Sequence, residues 1–374
     1  MLWKRFLPDL VAMVVALAAC PVLLRLLPGR VFRALILGGA ALFTAAFVVT
    51  LLQAAGLDAA FRWLMLSGVA FGWSLIVIFT TGMGLASRRV IPQRRQLLTT
   101  AAMAAPAAVF GYGVFIGRRQ FTLKEVDLAI PDLAADLDGL RIAQISDIHL
   151  SPFLSRADLQ WCVAMANETR PQLAAVTGDL ITGIRDSIDD CLEELRHIRA
   201  DAGVFGCNGN HERYIRAEAY TADRAARLGM NFLRARQTTL QFGSAKVNLA
   251  GIDHEDNRWN YAADTKGLMR SGEFNLLLNH NPDMFPHIAK QGWDLALSGH
   301  MHGGQINLEL ANANFNVAKF STPYVYGTYR EGRSAIYVTR GIGTIGMPVR
   351  IGAPPEVALI RLRRGPSTPA LQAL

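Results

Sequence analysis

Cysteine is scarce, with four in 374 residues. Cys20 lies in an apolar run, which leaves Cys162, Cys191 and Cys207 in the more polar part of the chain, an odd number with no paired spacing. This argues against a disulfide framework and predicts buried apolar thiols. Histidine is also sparse, at 8 residues, so any local cluster of histidines carries information. Charged residues make up only 18% of the chain. Acid is nearly missing from the first 119 residues, where Asp9 and Asp58 stand against twelve Lys and Arg, a balance of +10. The remainder holds 26 basic and 28 acidic residues, a balance of −2. The pI near 9.6 therefore does not describe a nucleic-acid surface, because the whole basic excess sits in an apolar segment. No repeat of solenoid period and no Pro- or Ser-rich tract appears before Gly365. A hydrophobic share of 51% and a mean hydropathy of +0.22 exclude a disordered or collagen-like chain.

What is present in residues 1–117 is apolar length. Four stretches, Leu7–Leu27, Val31–Leu52, Phe61–Ala86 and Leu97–Gly117, reach the roughly 20 residues that a helix needs to cross a bilayer core. The first is the weakest, carrying Asp9 and Pro21. A signal peptide has a single short apolar core and does not match this pattern. Arg25, Arg30 and Arg33 lie around the first connection and Arg88, Arg89, Arg94 and Arg95 around the third, whereas the second has only Arg62. Retention of basic loops on the cytoplasmic side then predicts a multi-pass protein of the bacterial inner membrane with its C-terminal domain extracytoplasmic. Lys4, Arg5, Arg118, Arg119 and Lys124 favour the inverse orientation. Arg94-Arg95 running into the fourth stretch resembles a twin-arginine export signal, and reads equally well as a cytoplasmic anchor. No Asp, Glu, Lys or Arg lies deep within the second to fourth stretches, so a transporter reading finds little support.

Residues 118–364 read as one α/β domain, with 365–374 a disordered tail. Short β-rich runs occur at Leu140–Ser146, Leu173–Thr177, Gly203–Cys207, Lys246–Gly251, Phe274–Leu278, Leu295–Ser298, Ala335–Thr339 and Val357–Leu362. Several are continuously apolar, as strands covered on both faces are. Ser155 with Asp158 forms a variant capping box ahead of a helix that Pro171 stops, and Asp186 or Ser187 can cap a second helix. Alternating strands and helices predict a layered α/β sandwich.

Metal-binding side chains recur where these runs end: Asp147-Ile148-His149, Gly178-Asp179, Gly209-Asn210-His211-Glu212, Asn279-His280 and Gly299-His300-Met301-His302. In α/β sheets ligands gather beyond the carboxyl ends of strands, so five separate loops can converge on one site. Imidazoles and carboxylates without thiolate suit borderline divalent ions, and one carboxylate can bridge two of them. Asp179 is the residue placed to do so. Among the other histidines, His197 reads as a surface residue, and His254 as a turn residue that could also line the site.

The ordered set of D-x-H, G-D, G-N-H-[DE], H and G-H-x-H resembles the calcineurin-like metallophosphoesterases over roughly residues 120–374. Asn279-His280-Asn281-Pro282-Asp283, His302-Gly303-Gly304-Gln305 and Arg340-Gly341-Ile342-Gly343 … Pro348-Val349-Arg350 resemble the membrane-linked bacterial branch that includes phosphodiesterases similar to UDP-2,3-diacylglucosamine hydrolases. The resemblance implies two facing mixed sheets flanked by helices. It implies one ion on Asp147, His149, Asp179 and His302, and a second on Asp179, Asn210, His280 and His300, with Mn²⁺ expected first and Fe or Zn as alternatives. It implies His211 as a catalytic residue that is not a ligand, and in-line attack on phosphorus by a water bridging the two ions. Such chains often carry a further acid shortly after Gly-Asp, where this one reads Leu180-Ile181-Thr182-Gly183, which leaves the support of the Asp179 loop and of His211 open. Arg340 and Arg350 are candidates for holding a substrate phosphate.

The expected activity is a membrane-anchored phosphoesterase acting on a phosphodiester or a lipid-linked phosphate or pyrophosphate, with the bilayer and a phosphorylated small molecule as partners and no nucleic acid. The alternatives are a UDP-2,3-diacylglucosamine hydrolase-type step of lipid A synthesis on the cytoplasmic face, and a metal-stabilised binding or signalling module.

Overall fold

The computed structural model describes residues 2–27, 30–54, 65–87, 90–183, 186–254, 265–310 and 313–366. Arg62, the Arg88–Arg89 pair, the start of the third apolar stretch and residues 367–374 of the expected tail lie outside the described residues. The chain divides into two compact units, Met1–Gly117 with Ile345–Ile351, and Arg118–Thr344 with Gly352–Leu374.

In the first unit, α1 (Leu2–Leu26), α2 (Arg30–Ala54), α3 (Met65–Ala86) and α4 (Pro92–Phe115) occupy the four apolar stretches in turn. Pro92 opens α4, where a missing N–H costs nothing. Buried hydroxyls are satisfied locally: Ser74, Thr80 and Thr81 each donate to the carbonyl four residues earlier, at 2.8, 2.7 and 2.7 Å. Ala16, Leu23, Ile36, Ala70, Val77 and Met103 form the shared core. Among the described residues, Gly68–Ala86 and Pro92–Arg119 are helical stretches long and apolar enough to cross a membrane, with mean hydropathies of 1.8 and 1.5. The segment Ile345–Ile351 joins this unit because α4 offers a close approach. Arg350 N donates to Gly113 O at 3.1 Å, and any Cβ on Gly113 would stand 2.6 Å from Val349 and Ile351 side-chain carbons.

The second unit is a sandwich. Its strands are β1 (Thr122–Ile130), β2 (Arg141–Ile145), β3 (Leu173–Thr177), β4 (Val204–Cys207), β5 (Asn231–Phe232), β6 (Arg236–Phe242), β7 (Ala245–Gly251), β8 (Phe274–Leu278), β9 (Leu295–Ser298), β10 (Asn307–Leu310), β11 (Ala313–Asn316), β12 (Gly327–Glu331), β13 (Ser334–Val338) and β14 (Glu356–Arg364). One sheet runs β1-β14-β2-β3-β4-β5 and the other β12-β13-β9-β8-β7-β6, with β10 and β11 forming a separate hairpin. The centre of each sheet is parallel, from β2 to β5 in one and from β7 through β8 and β9 to β13 in the other. Antiparallel neighbours flank these cores: β14 beside β2, β12 beside β13 and β6 beside β7. Both sheets are therefore mixed.

Alternation of side chains builds three apolar layers. Ile142, Leu173 and Phe205 face Leu249, Leu276, Leu278 and Leu297 between the sheets. Ala143, Ile145 and Val176 turn outward onto α5 (Arg156–Glu168) and α6 (Ile188–Leu195) through Leu159, Cys162, Leu192 and Leu195. α7 (Asn210–Tyr214) and α8 (Glu218–Arg227) follow β4. On the far face, Leu277 and Ile336 meet Phe285 and Ile288 of α9 (Phe285–Gln291), beside Trp293. The Ser155–Asp158 capping box is formed at α5, and Ser187 rather than Asp186 caps α6, accepting from Asp190 N. The three cysteines of this unit are buried and unpaired.

Candidate metal centre

Every strand-to-loop junction singled out in the sequence emerges at one end of the sandwich. Asp147 and His149 follow β2, Asp179 follows β3, Asn210 and His211 open α7 after β4, His280 follows β8, and His300 and His302 follow β9. Five of these residues hold left-handed backbone: Asp147 (φ 51°), His149 (49°), Asp179 (55°), His300 (74°) and His302 (51°). Each such residue costs about 1–3 kcal/mol unless its surroundings enforce it, and strain of this kind concentrates at functional sites.

The donor atoms form two groups that share one carboxylate. Asp147, His149, Asp179 and His302 make the first, and Asp179, His280 and His300 the second, with the atoms of each group within 4.8 Å of one another. Across the first, His149 Nε2 lies 3.5 Å from Asp179 Oδ2 and 3.1 Å from His302 Nε2, and His302 Nε2 lies 3.4 Å from Asp147 Oδ1. Across the second, His280 Nε2 lies 3.1 Å from Asp179 Oδ2, 3.1 Å from Asn210 Oδ1 and 3.2 Å from His300 Nδ1. Backbone carbonyls hold the opposite ring nitrogens. His149 Nδ1 donates to Ile181 O (3.1 Å), and His280 Nδ1 to Thr177 O (2.6 Å). These bonds select the tautomer that turns the other nitrogen's lone pair inward, the arrangement of metal-ligating histidines.

Burial makes this site electrostatically demanding. Asp147 and His149 are fully buried, and Asp179 is 2% exposed. Desolvation pushes Asp147 up to about 6 despite the nearby His280, and pushes His149 and His300 down to about 3. His280 goes the other way: burial opposes its charge, but the Asp179 carboxylate overcomes it and raises His280 to about 10. Asp179 correspondingly stays well below the ordinary carboxylate range although burial acts against it. A buried carboxylate group that forces a proton onto one imidazole is a group that needs a cation. Asp147 Oδ2 is in addition a buried oxygen with no hydrogen-bond partner among the described residues. The donors present therefore fit a pair of borderline divalent ions.

The missing acid after Gly178-Asp179 has a structural answer in Glu212. This residue is fully buried. Its Oε2 accepts Asp179 N (3.0 Å) and Gly209 N (2.8 Å), and its Oε1 accepts Leu180 N (2.8 Å). His211 stands beside the first group, its ring centroid 4.7 Å from that of His149, and donates Nδ1–H to Thr182 O at 2.6 Å. His254 is also drawn in. It is 5% exposed, with ring centroids 5.4 Å from His300 and 5.8 Å from His280, so six of the eight histidines gather here. The signal for it was its position after β7, the same strand-end rule that locates the ligands. Arg340 borders the His302 loop, its side chain crowding Gly303, its guanidinium 4.4 Å over the Tyr326 ring and 3.5 Å from Glu356. Arg350 belongs to the helical unit and is 1% exposed. His197 is exposed, as expected.

Residues 140–304, which hold all of these candidate ligands, match the family model described as calcineurin-like phosphoesterase. The chain carries a calcineurin-like metallophosphoesterase domain. With it the protein is a metal-dependent phosphohydrolase. It is 29% identical over 283 residues to the uncharacterized metallophosphoesterase YkuE of Bacillus subtilis, covering 72% of this chain and 97% of that protein. It is 28% identical over 277 residues to the phosphodiesterase YaeI of Escherichia coli, covering 73% and 100%. A transmembrane protein with metallophosphoesterase domain from Danio rerio is 28% identical over 284 residues, 71% of this chain and 63% of that longer protein.

Proposed function

We propose that the protein is a membrane-anchored, two-metal phosphoesterase that hydrolyses phosphodiester or lipid-linked phosphate bonds, with Mn²⁺ as the resident ion. The observation that carries this reading is the shared Asp179 carboxylate between two buried donor sets. Divalent ions held there supply an acidified water and a clamp on the phosphoryl oxygens. The chain's own part is to fix the ligands and exclude competing protons. His211, held at Nδ1 by Thr182 O, keeps Nε2 available to stabilise or protonate the departing oxygen. Arg340 at the rim offers a planar cation to a second phosphate or to the non-reacting ester arm. The phosphodiesterase name of the Escherichia coli relative supports the diester choice.

The membrane part rests on the four apolar helices of the first unit and on the transmembrane name of the Danio rerio relative. All four helices cross in this reading, residues 118–364 form the catalytic domain, and the arginines of the first and third connections favour the extracytoplasmic side of a bacterial inner membrane. Covalent attachment to membrane helices motivates a lipid-linked substrate. A UDP-2,3-diacylglucosamine-type substrate requires a cytoplasmic site and stands as the second reading, favoured by Arg118, Arg119 and Lys124.

Two measurements test the proposal. Chelator-treated protein regains bis-p-nitrophenyl phosphate hydrolysis with Mn²⁺; hydrolysis that survives chelation contradicts the metal assignment. A compartment-sensitive reporter fused after Leu374 is active outside the cytoplasm, and cytoplasmic activity favours the second reading.

A further inference from the structure

The hydrogen bond that orients His211 ends on a peptide, and that peptide is itself held. Thr182 O accepts from His211 Nδ1 at 2.6 Å. The same peptide plane presents Gly183 N–H in the opposite direction, because a trans peptide points its N–H and C=O apart. Gly183 N donates to Asp186 Oδ2 at 2.9 Å, and Thr182 N donates to the same oxygen at 3.0 Å. Asp186 N in turn donates to Gly183 O at 3.0 Å. The side chain of the same threonine lies 3.4 Å from His149 Nδ1, so one residue touches both the histidine that binds and the histidine that faces the leaving group.

We propose that Asp186 is the positioning carboxylate of His211, acting through the Thr182–Gly183 peptide. The proposal rests on the reading of His211 given above. A carboxylate pulling on Gly183 N–H aims the Thr182 carbonyl at Nδ1, and polarises that carbonyl along a chain of hydrogen bonds. The Nδ1 proton stays on the ring, and Nε2 is held toward the site. Glu212 supports the Asp179 end of this loop and Asp186 supports the His211 end, so the duty expected of one acid after Gly178-Asp179 is divided between Asp186, later on the same loop, and Glu212 from the next strand end. Asp186 touches no substrate in this scheme.

The test uses the full chain in detergent, as wild type, Asp186→Ala, Asp186→Asn, His211→Ala and the double Asp186→Ala/His211→Ala variant. Hydrogen exchange of the peptide spanning Thr182 and Gly183 reads the loop without any reaction: protection falls in Asp186→Ala and returns in Asp186→Asn, whose amide oxygen accepts both N–H groups. Hydrolysis of aryl methyl phosphodiesters with progressively less acidic phenols reads His211. The loss in Asp186→Ala is under about tenfold for p-nitrophenol and grows to about a hundredfold for the poorest leaving group, while metal content is unchanged. Asp186→Asn recovers most of that loss, and Asp186→Ala adds nothing in the His211→Ala background.

A loss that is uniform across the phenol series, full additivity in the double variant, or unchanged exchange in Asp186→Ala overturns the proposal. If the wild type hydrolyses none of the diesters, the reading of the function fails, and the exchange comparison still decides whether Asp186 holds the Thr182 carbonyl.

Discussion

Glu212 Oε2 accepts the backbone N–H of Asp179 at 3.0 Å, so the residue that follows Asn210-His211 in sequence fixes the main chain of the carboxylate shared by both donor sets. Ionised, it serves three N–H groups with two oxygens. In Glu212→Gln the amide nitrogen must face at least one of those donors. An unsatisfied buried donor costs about 1–3 kcal/mol, so the metal-free protein melts several degrees lower and its metal affinity falls. Thermal melts in chelator with calorimetric titration check this; an unchanged melt contradicts it.

Close backbone approach at Gly209 gives a second prediction. A Cβ there would stand 2.1 Å from Asp179 Oδ1, and that carboxylate cannot withdraw without leaving both clusters. Gly209→Ala therefore loses most of its bound metal while its far-ultraviolet spectrum is preserved. Full metal content in the variant removes the geometric argument.

His211 contributes Nε2 and no ligand atom to either donor set. His211→Ala keeps metal stoichiometry and loses turnover by about 10²–10⁴-fold, the usual range for a positioned acid or base. Loss of metal in this variant would make His211 a ligand, and unchanged turnover would take it out of the mechanism.

The pH dependence of metal binding follows from His280. Burial disfavours its charge, but Asp179 raises it to about 10, so in the metal-free protein it is protonated at neutral pH. A raised value contributes stability that is full below the unfolded value of about 6.5 and is lost as pH rises through about 10. Metal needs the neutral imidazole. Binding therefore releases a proton across that window, and affinity climbs about tenfold per pH unit until about 10. Titration calorimetry at pH 7.5 in two buffers of different ionisation enthalpy reads the released proton; equal heats in both contradict the assignment.

Much of this was legible before the fold was known, for identifiable reasons. β3, β8 and β9 are buried along their whole length and read as largely apolar runs, and ligands at strand ends announce themselves by residue type. β6 alternates exposed and half-buried residues at a sheet edge, so Thr238 and Thr239 give no apolar signal. α7 has five residues, too few for a helical period to show. Asp186 resembled a helix cap because any acid before Ser187 does, and its bonds to Thr182 N and Gly183 N show only in the fold. The packing of Ile345–Ile351 with α4 depends on Gly113, and a glycine that makes room for another segment looks in sequence like any other glycine. His254 shares the strand-end position of the ligands, but no neighbouring ligand motif separates it from an ordinary turn residue.

The central claim is that Asp179 joins two metal sites into one hydrolytic centre. Metal content and bis-p-nitrophenyl phosphate hydrolysis of Asp179→Asn, measured beside wild type after identical Mn²⁺ loading, test it most directly. Wild type holds two ions per chain, whereas the variant holds fewer than one and loses hydrolysis by about 10³-fold or more. Two retained ions with intact hydrolysis in Asp179→Asn would contradict the account.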